Sequence, residues 1–563
     1  MTAQEETPND SNAPPQTVGG AKVPISDGSV LSSEPCRDSM PSDETGQPAK
    51  EYLTGIRFWA VSIVIAVVLF LVNMEATVVA TSLVAITDEL GGFDIESWIL
   101  SSYLLGYVGS IVLAAKLSDA FGRKTITLIC IAIFTIFSGG CAAAASTTQI
   151  VILRAFQGLG GGGCFALATI LLIELVPPHK YGQYVAYTGI AIAIGSVSGP
   201  LIGGAISAHT TWRWIFLINV PVGVVIFAGA YLGIPNGFPF HHENPTSSEK
   251  QKVAGHALEK LDIPGASLLL LASITLTAAF EQAGSRFAWN SPLIIVLLVL
   301  SPILWILLVL WERRVSLAGK SREPVLPWEF LTDRVIVGML LGFFLLGAPI
   351  TVTVFQLPQR FQLVNGLSGF DAGVRILPFA GGITVGSSIG AKLASQFRLP
   401  AVYVVLFGSS LQIIGLALMT TLPSSLSVPA TVYGYQVIAG FGCGVSYAVL
   451  YLMIPFTTGR RDRAVGMGTG NQFRMMGSAV ALAIATTIFR TYTAPAFAKV
   501  AIDPSNESDL AVRIMALTDS AREELRESLA AGYIRQSLVT VVFAAVQIPA
   551  ALLMWKKDQV LVV

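Results

Sequence analysis

Charge is what this sequence has least of. Asp, Glu, Lys and Arg make up 12% of its 563 residues, about half the share found in soluble globular proteins, which carry roughly 25%. With 53% of the residues hydrophobic and a mean hydropathy of +0.66, polar side chains are too few to cover a surface in water. Neither sign is in excess, 35 basic against 35 acidic residues, so the basic stripe that a nucleic-acid binder needs is missing. The five cysteines show no paired spacing; Cys130, Cys141, Cys164 and Cys443 fall in apolar runs and read as small core hydrophobes, while Cys36 lies in a polar stretch. None of the five histidines, His179, His209, His241, His242 and His256, falls deep inside an apolar run. The side chain that titrates most readily near neutrality is therefore absent from the interior. No Walker phosphate loop occurs, so no ATP site is expected, nor any other cofactor.

What the sequence has in abundance is long apolar runs. About fourteen stretches of ~20 residues, each long enough to span a bilayer core, would occupy roughly half of the chain. They read as membrane helices over 57–79, 97–116, 126–146, 149–172, 182–207, 215–234, 264–283, 292–311, 335–356, 372–394, 399–421, 429–455, 465–489 and 534–555. The expected fold class is an all-α polytopic membrane protein, a partner of the lipid bilayer. Residues 1–54 are polar and Pro/Ser-rich and read as a disordered cytoplasmic tail rather than a cleavable leader. Six helices follow in 55–235, a cytoplasmic loop in 236–263, two helices in 264–312, a second cytoplasmic loop in 313–332, six more helices in 333–556, and a short cytoplasmic tail in 557–563.

Lys and Arg set the orientation. One set of loops holds Arg123, Lys124, Lys180, Lys250, Lys252, Lys260, Arg313, Arg314, Lys320, Arg322, Arg398, Arg460, Arg461 and Arg463, with Lys556 and Lys557 on the same side. The opposite short loops hold little beyond Arg213, Arg286 and Arg360. Both termini are thus expected in the cytoplasm, with the plasma membrane favoured over the vacuolar one. Asn506-Glu507-Ser508 is then a glycosylation acceptor in an outer loop, whereas Asn9-Asp10-Ser11 should stay bare.

The two ends of the chain echo each other. Ala115-Lys116-Leu117…Phe121…Arg123 closes the second helix and Ala391-Lys392-Leu393…Phe397-Arg398 the tenth; Phe156-Gln157 and Tyr435-Gln436 each open a Gly-rich stretch. Two six-helix halves with two inserted helices fit this echo, and repeats of this kind place a transport site at their interface.

Two stretches carry more specific signals. In Ala115-Lys116-Leu117-Ser118-Asp119-Ala120-Phe121-Gly122-Arg123-Lys124, Gly122 permits a tight turn and Arg123 and Lys124 hold it at the cytoplasmic face. Asp119 can cap the next helix or pair with a neighbouring cation as a latch; an ordinary positively charged loop is the plainer alternative. In Gly195-Ser-Val-Ser-Gly199-Pro200-Leu-Ile-Gly203-Gly204, glycines four apart make a flat face for close helix approach and Pro200 bends the helix. Simple packing would also account for that stretch. Gly158-Leu-Gly160-Gly-Gly-Gly163 and Gly386-Ser-Ser388-Ile-Gly390 match a dinucleotide and a nucleophile-elbow pattern, but both need a preceding strand and here sit inside apolar helices.

The first two stretches resemble the loop signature and the fifth-helix antiporter signature of the major facilitator superfamily, in its fourteen-helix drug:proton antiporter branch. Trp212-Arg213-Trp214…Asn219-Val-Pro221-Val-Gly223, Trp289-Asn290-Ser291, Phe361-Gln362…Asn365-Gly366…Ser368…Gly373-Val-Arg375…Leu377-Pro378 and Arg154-Ala-Phe-Gln157-Gly158 are similar to further family motifs over roughly residues 55–555. The pattern most resembles fungal exporters of drugs and self-made toxins. It departs where the family has an aspartate and, nine residues on, a proline in the first-helix motif; here these are Glu75 and Val84, and Ala115 replaces a glycine of the loop signature.

The resemblance implies the major facilitator fold and proton-coupled efflux of small amphipathic organic compounds by alternating access, by a monomer that is not an enzyme. Uptake by symport or uniport, and a non-transporting sensor, remain as alternatives. Carboxylates must carry the proton if histidines do not. Glu75, Glu174 and Glu281 are the candidates, since an intramembrane charge costs about 2.5–3.5 kcal/mol and tends to be functional. The family motif makes Arg154 the expected partner of Glu75, either in coupling or in a structural ion pair. Arg375 and Arg474 are expected to anchor helix ends. Asn73, Gln157, Gln356, Gln436, Asn471 and Gln472 could line a substrate cavity, or hydrogen-bond between helices. A potential of 100 mV supplies about 2.3 kcal/mol per charge moved, and each pH unit about 1.36 kcal/mol, enough for modest export with one proton.

Overall fold

The computed structural model describes residue 53 and residues 55–79, 82–90, 96–177, 180–236, 238, 262–283, 287–317, 323–459, 462–500, 517–557 and 559–562. Among them, fourteen helical segments are long and apolar enough to cross a membrane. In chain order they are α1 (Gly55–Val78), α2 (Glu96–Phe121), α3 (Arg123–Ala142), α4 (Thr147–Leu175), α5 (Tyr181–His209), α6 (Asn219–Gly233, continuing a single turn at Arg213–Leu217), α7 (Ile263–Gln282) and α8 (Pro292–Leu317). The second half holds α9 (Arg334–Leu363), α10 (Leu377–Ser395), α11 (Ala401–Met419), α12 (Thr431–Thr457), α13 (Arg463–Lys499) and α14 (Asp519–Leu553). The acceptor triplet at Asn506 and the histidines at 179, 241, 242 and 256 lie outside the described residues.

Three boundaries differ from the sequence reading, each for a local reason. The second helix runs on through Lys116 and Asp119 to Phe121, so the loop signature is mostly helical. The chain breaks only at Gly122, whose φ of 91° suits glycine alone, and α3 starts at once on Arg123. Position 84 belongs to a separate short helix, Leu83–Leu90, rather than to the end of α1. The polar segment 491–533 is in large part helix. There α13 continues to Lys499 and α14 starts at Asp519, because Leu525, Leu529 and Tyr533, spaced four apart, form a stripe that packs on Phe497 and Val364. Elsewhere, caps fix helix starts. Ser146 accepts from the Gln149 amide at the head of α4, Asp262 from Gly265 at α7 and Asp333 from Val335 at α9, each answering one amide that lacks an intrahelical partner.

Packing repeats with an offset of eight helices. In the first six, α2 lies on α4, α3 on α4, α1 on α5, α3 on α6 and α1 on α6. In the last six, α10 lies on α12, α11 on α12, α9 on α13, α11 on α14 and α9 on α14. The halves meet where α2 touches α13 and α5 touches α10, a pair of contacts related by the same offset. The inserted hairpin α7–α8 packs through α7 on α2 of one half and α13 of the other.

Glycine makes the tightest of these contacts possible. A Cβ on Gly158 would lie 2.1 Å from the Tyr103 carbonyl oxygen, and one on Gly162 2.1 Å from that of Tyr107, which fixes α4 against α2. Gly386 and Gly444 stand in the same relation to Phe441 and Ile383, at 2.1 Å each, where α10 meets α12. The glycines of the dinucleotide-like and elbow-like patterns are thus helix-packing residues.

Gly162→Ala must push apart two backbones and is expected to destabilise by about 1–3 kcal/mol. Gly381→Ala, with nothing within 4 Å, should melt like the parent. Thermal unfolding of the detergent-purified pair checks this, and equal melting temperatures would contradict it.

Candidate functional site

The first half encloses a polar cluster away from water. Glu75, near the end of α1, receives Arg154 Nη1 of α4 on Oε1 at 2.5 Å, with 0% and 1% of the two side chains exposed. Its other oxygen accepts Asn219 Nδ2, from the first residue of α6, at 2.6 Å. Asn219 also donates to Ser138 Oγ of α3 at 3.1 Å, and Gln157 Nε2 donates to the same hydroxyl at 2.9 Å. Arg154 further donates to Gln157 Oε1 at 3.2 Å and to the Ile99 carbonyl at 3.1 Å, and its guanidinium lies 4.4 Å from the centre of the Tyr103 ring. Five helices, α1, α2, α3, α4 and α6, meet at one ion pair. Burial makes such a pair sensitive. With both partners present the charges answer each other, whereas removing one strands the other in a dry interior.

The antiporter signature on α5 builds the wall beside it. A Cβ on Gly195 would meet the Phe70 carbonyl oxygen at 2.5 Å, and one on Gly199 would lie 1.9 Å from Thr77 Oγ1 and 2.8 Å from the Met74 carbonyl oxygen. Thr77 also donates to the Ser196 carbonyl at 3.2 Å. These glycines therefore let α5 press on the stretch of α1 that carries Glu75, and Pro200 follows inside the same helix. Gly203 offers its carbonyl to Ser82 at 3.4 Å, and Gly204 faces open space.

The loop signature lies at the opposite end of the bundle. Asp119 does not cap α3, since Gly122 holds that position; it pairs with Arg123 one turn on, at 2.5 Å. Arg123 also grips Glu174 of α4 at 3.0 Å and Ser118 at 2.6 Å. Glu174 thus belongs to this latch and not to the Glu75 cluster. Lys116 is buried on the same turn, and Lys124 lies 4.9 Å from the Tyr231 ring centre.

The residues read as cavity candidates separate. Asn73 turns back on its own helix, donating to the Leu69 carbonyl at 2.7 Å. Gln157 belongs to the ion-pair cluster. Gln472 donates to Ser273 of α7 at 2.5 Å and ties the inserted hairpin to α13. Gln356 lines a small cleft inside the second half, with Arg360, Met419 and Tyr533. Gln436 is fully buried with neither polar atom bonded. Asn471 accepts Tyr451 Oη at 3.1 Å and Arg474 Nη2 at 2.8 Å. Glu281 lies 3.4 Å from Ser101 Oγ, linking α7 to α2.

Two arginines part ways. Arg375 caps the short helix Gly369–Val374 and donates to the Tyr433 hydroxyl, as an end anchor would. Arg474 is no end anchor. It sits about three turns into α13 and is 5% exposed. Ser138 and Asn219 are site residues outside the set expected from the sequence. Asn219 was visible as a polar residue two positions before Pro221 at a helix start. Among the described residues no group of three or more His, Cys, Asp and Glu gathers as metal ligands would.

Two repeated helical bundles around a charged interior define a membrane transporter, not an enzyme. The chain matches the family model described as Major Facilitator Superfamily over residues 63–482 and belongs to that family. A Fusarium mangiferae protein named MFS-type transporter FPY5 is 34% identical, covering 94% of this chain and 91% of that protein. A Fusarium sp protein named MFS-type efflux pump LUC4 is 29% identical, covering 81% and 77%. Among solved structures, an inward-facing bacterial homologue of the human lysosomal transporter Spinster superposes with a TM-score of 0.58 at 16% identity, covering 90% of this chain and all of that one. That likeness is one of fold.

Glu75→Ala strands Arg154 and is expected to cost about 3–5 kcal/mol. Adding Arg154→Leu should restore part of the loss. Melting temperatures of the two single variants and the double variant decide it; strictly additive losses would mean the pair is not coupled.

Proposed function

We propose that the protein is an efflux transporter that carries small amphipathic organic compounds out of the cell by alternating access, in exchange for a proton held by Glu75. The observation that carries this reading is the buried Glu75–Arg154–Asn219 cluster, a carboxylate that can change charge only by gaining or losing a proton. Protonation cancels the charge facing Arg154 and leaves that cation to the Ile99 carbonyl, Gln157 and the Tyr103 ring. The pair can thus be made and broken while α5 rests on α1 through Gly195 and Gly199. Efflux rather than uptake is supported by the relative named an efflux pump and by the glycine–proline stretch on α5.

The Arg123–Asp119–Glu174 latch is the element that the two orientations make and break. The Lys and Arg distribution supports a cytoplasmic position for that latch and for both chain termini, which sets the Glu75 cluster toward the outside. The transporter works as a monomer in the plasma membrane, driven by the proton gradient without ATP or a bound cofactor.

Reconstituted vesicles with an imposed pH gradient are expected to export rhodamine 6G without ATP, and to stop when the gradient is collapsed. Glu75→Gln should slow gradient-driven export at least tenfold; a rate and pH dependence like the parent's would remove Glu75 from coupling. Asn506 should carry a glycan in a eukaryotic host, read as an endoglycosidase shift that Asn506→Gln abolishes. A shift that persists in that variant, or is absent from the parent, contradicts the proposed outer loop.

A further inference from the structure

Each half buries an arginine, but only one of these two is answered by an acid. Arg154 has Glu75, whereas no carboxylate forms an ion pair with Arg474 among the described residues. The phenols of Tyr107, Tyr447 and Tyr451 lie around its charge. Its guanidinium donates from Nε and Nη2 to Asn471 Oδ1, at 3.3 and 2.8 Å, and also meets the Tyr451 hydroxyl. Arg360, the other buried arginine of the second half, is answered differently, by the Pro423 and Leu422 carbonyls at 2.8 and 3.4 Å. An intramembrane cation met only by neutral groups is expensive.

The place matters as much as the charge. Tyr107 comes from α2 and Phe165 from α4 of the first half, while Tyr447 and Tyr451 come from α12 and Asn471 and Arg474 from α13 of the second. The guanidinium lies 5.9 Å from the Phe165 ring centre, across the seam between the halves. Tyr447 and Tyr451 sit with ring centres 4.6 Å apart. Asn471 Nδ2, buried on the Tyr107 side, makes no hydrogen bond of normal length. A cation without a carboxylate partner, an amide donor with no short hydrogen bond and a wall of aromatic rings are the parts of a site for an anion on an apolar body.

We propose that Arg474 and Asn471 hold the carboxylate of an amphipathic organic acid, bound between the halves with its apolar part against Phe165, Tyr447 and Tyr451. The inference rests on the transport reading and narrows its substrate class. A guanidinium offers two parallel donors to a carboxylate, a geometry that neither an alcohol nor an amine reproduces. The bound acid also supplies the negative charge that Arg474 lacks beside it, so the loaded seam closes over a neutral pair.

Pyrene-1-butyrate and pyrene-1-butanol share one apolar body and differ at the headgroup, so the ratio of their affinities reads the site. Fluorescence titration of the detergent-purified full chain at neutral pH should show the acid bound at least tenfold more tightly. Arg474→Gln should bring that ratio within about twofold, and Arg474→Lys, which keeps the charge without the fork, should leave it between. Asn471→Ala, a second variant with the arginine retained, should reduce the ratio at least threefold. A parent ratio within twofold, or a tenfold ratio that survives Arg474→Gln, overturns the proposal. Flux separates this failure from that of the transport reading. If vesicles export both probes equally, the acid site is wrong and transport stands. If they export neither while the binding ratio holds, transport is wrong and the acid site stands.

Discussion

Glu75 and Arg154 hold opposite charges 2.5 Å apart where water does not reach, and the first half is arranged around that contact. An ion pair in a dry interior tolerates little misplacement, because the attraction that offsets desolvation depends on close approach and on hydrogen bonds to the remaining donors and acceptors. The chain meets both needs with short polar residues brought from separate helices. Asn219 serves the second carboxylate oxygen, and Ser138 receives both Asn219 and Gln157. Arg154 spends its Nε on the Ile99 carbonyl and lays its face against Tyr103. These partners come from α2, α3, α4 and α6, so the pair also registers the helices against one another.

That registry would fail if the helices stood at ordinary distance. Gly195 and Gly199 admit α1 to α5 at the level of Glu75, and Gly158 and Gly162 admit α2 to α4 beside Arg154. The second half repeats the device with Gly386 and Gly444, which is why the same packing recurs eight helices later. Glycine costs helix stability in water, yet between membrane helices its missing side chain brings backbones within contact range. The inserted hairpin is held by polar contacts to both halves, Gln472 to Ser273 and Trp289 to Thr487 on α13, and Glu281 and Gln282 to Ser101 on α2.

Most of the helices were legible because a span of some twenty apolar residues leaves the backbone no alternative to helix in lipid. Legibility ended where polarity resumed. Leu525, Leu529 and Tyr533 form a stripe of three among charged neighbours, so the start of α14 looked like loop although it is a buried helix face. The loop signature showed its residues but not its pairing. Asp119 reaches Arg123 only because the helix persists to Phe121, and Glu174 joins from fifty-one residues away. In Arg154 and Glu75 the family motif named two partners that no local spacing would connect. Arg474 was misread for the opposite reason: a long cationic side chain in a span can reach the surface from many depths, and its direction is set by packing. The i, i+3 spacing of Asn471 and Arg474 and the i, i+4 spacing of Tyr447 and Tyr451 were the available signals for a shared polar face.

The repeat makes the difference between the halves informative. Helix for helix they pack alike, so the contrast between Arg154 and Arg474 is one of side chains and not of architecture. A carboxylate built into α1 answers the buried cation of the first half from within the chain. A guanidinium without one leaves the second half to be neutralised from outside the chain, and the seam is the side from which Tyr107 and Phe165 approach it. If a proton and an organic anion occupy these two places, they act on different halves of one symmetric frame. Each would change the cost of bringing buried charge into a closed seam, which is how two ligands that never touch come to share one conformational equilibrium.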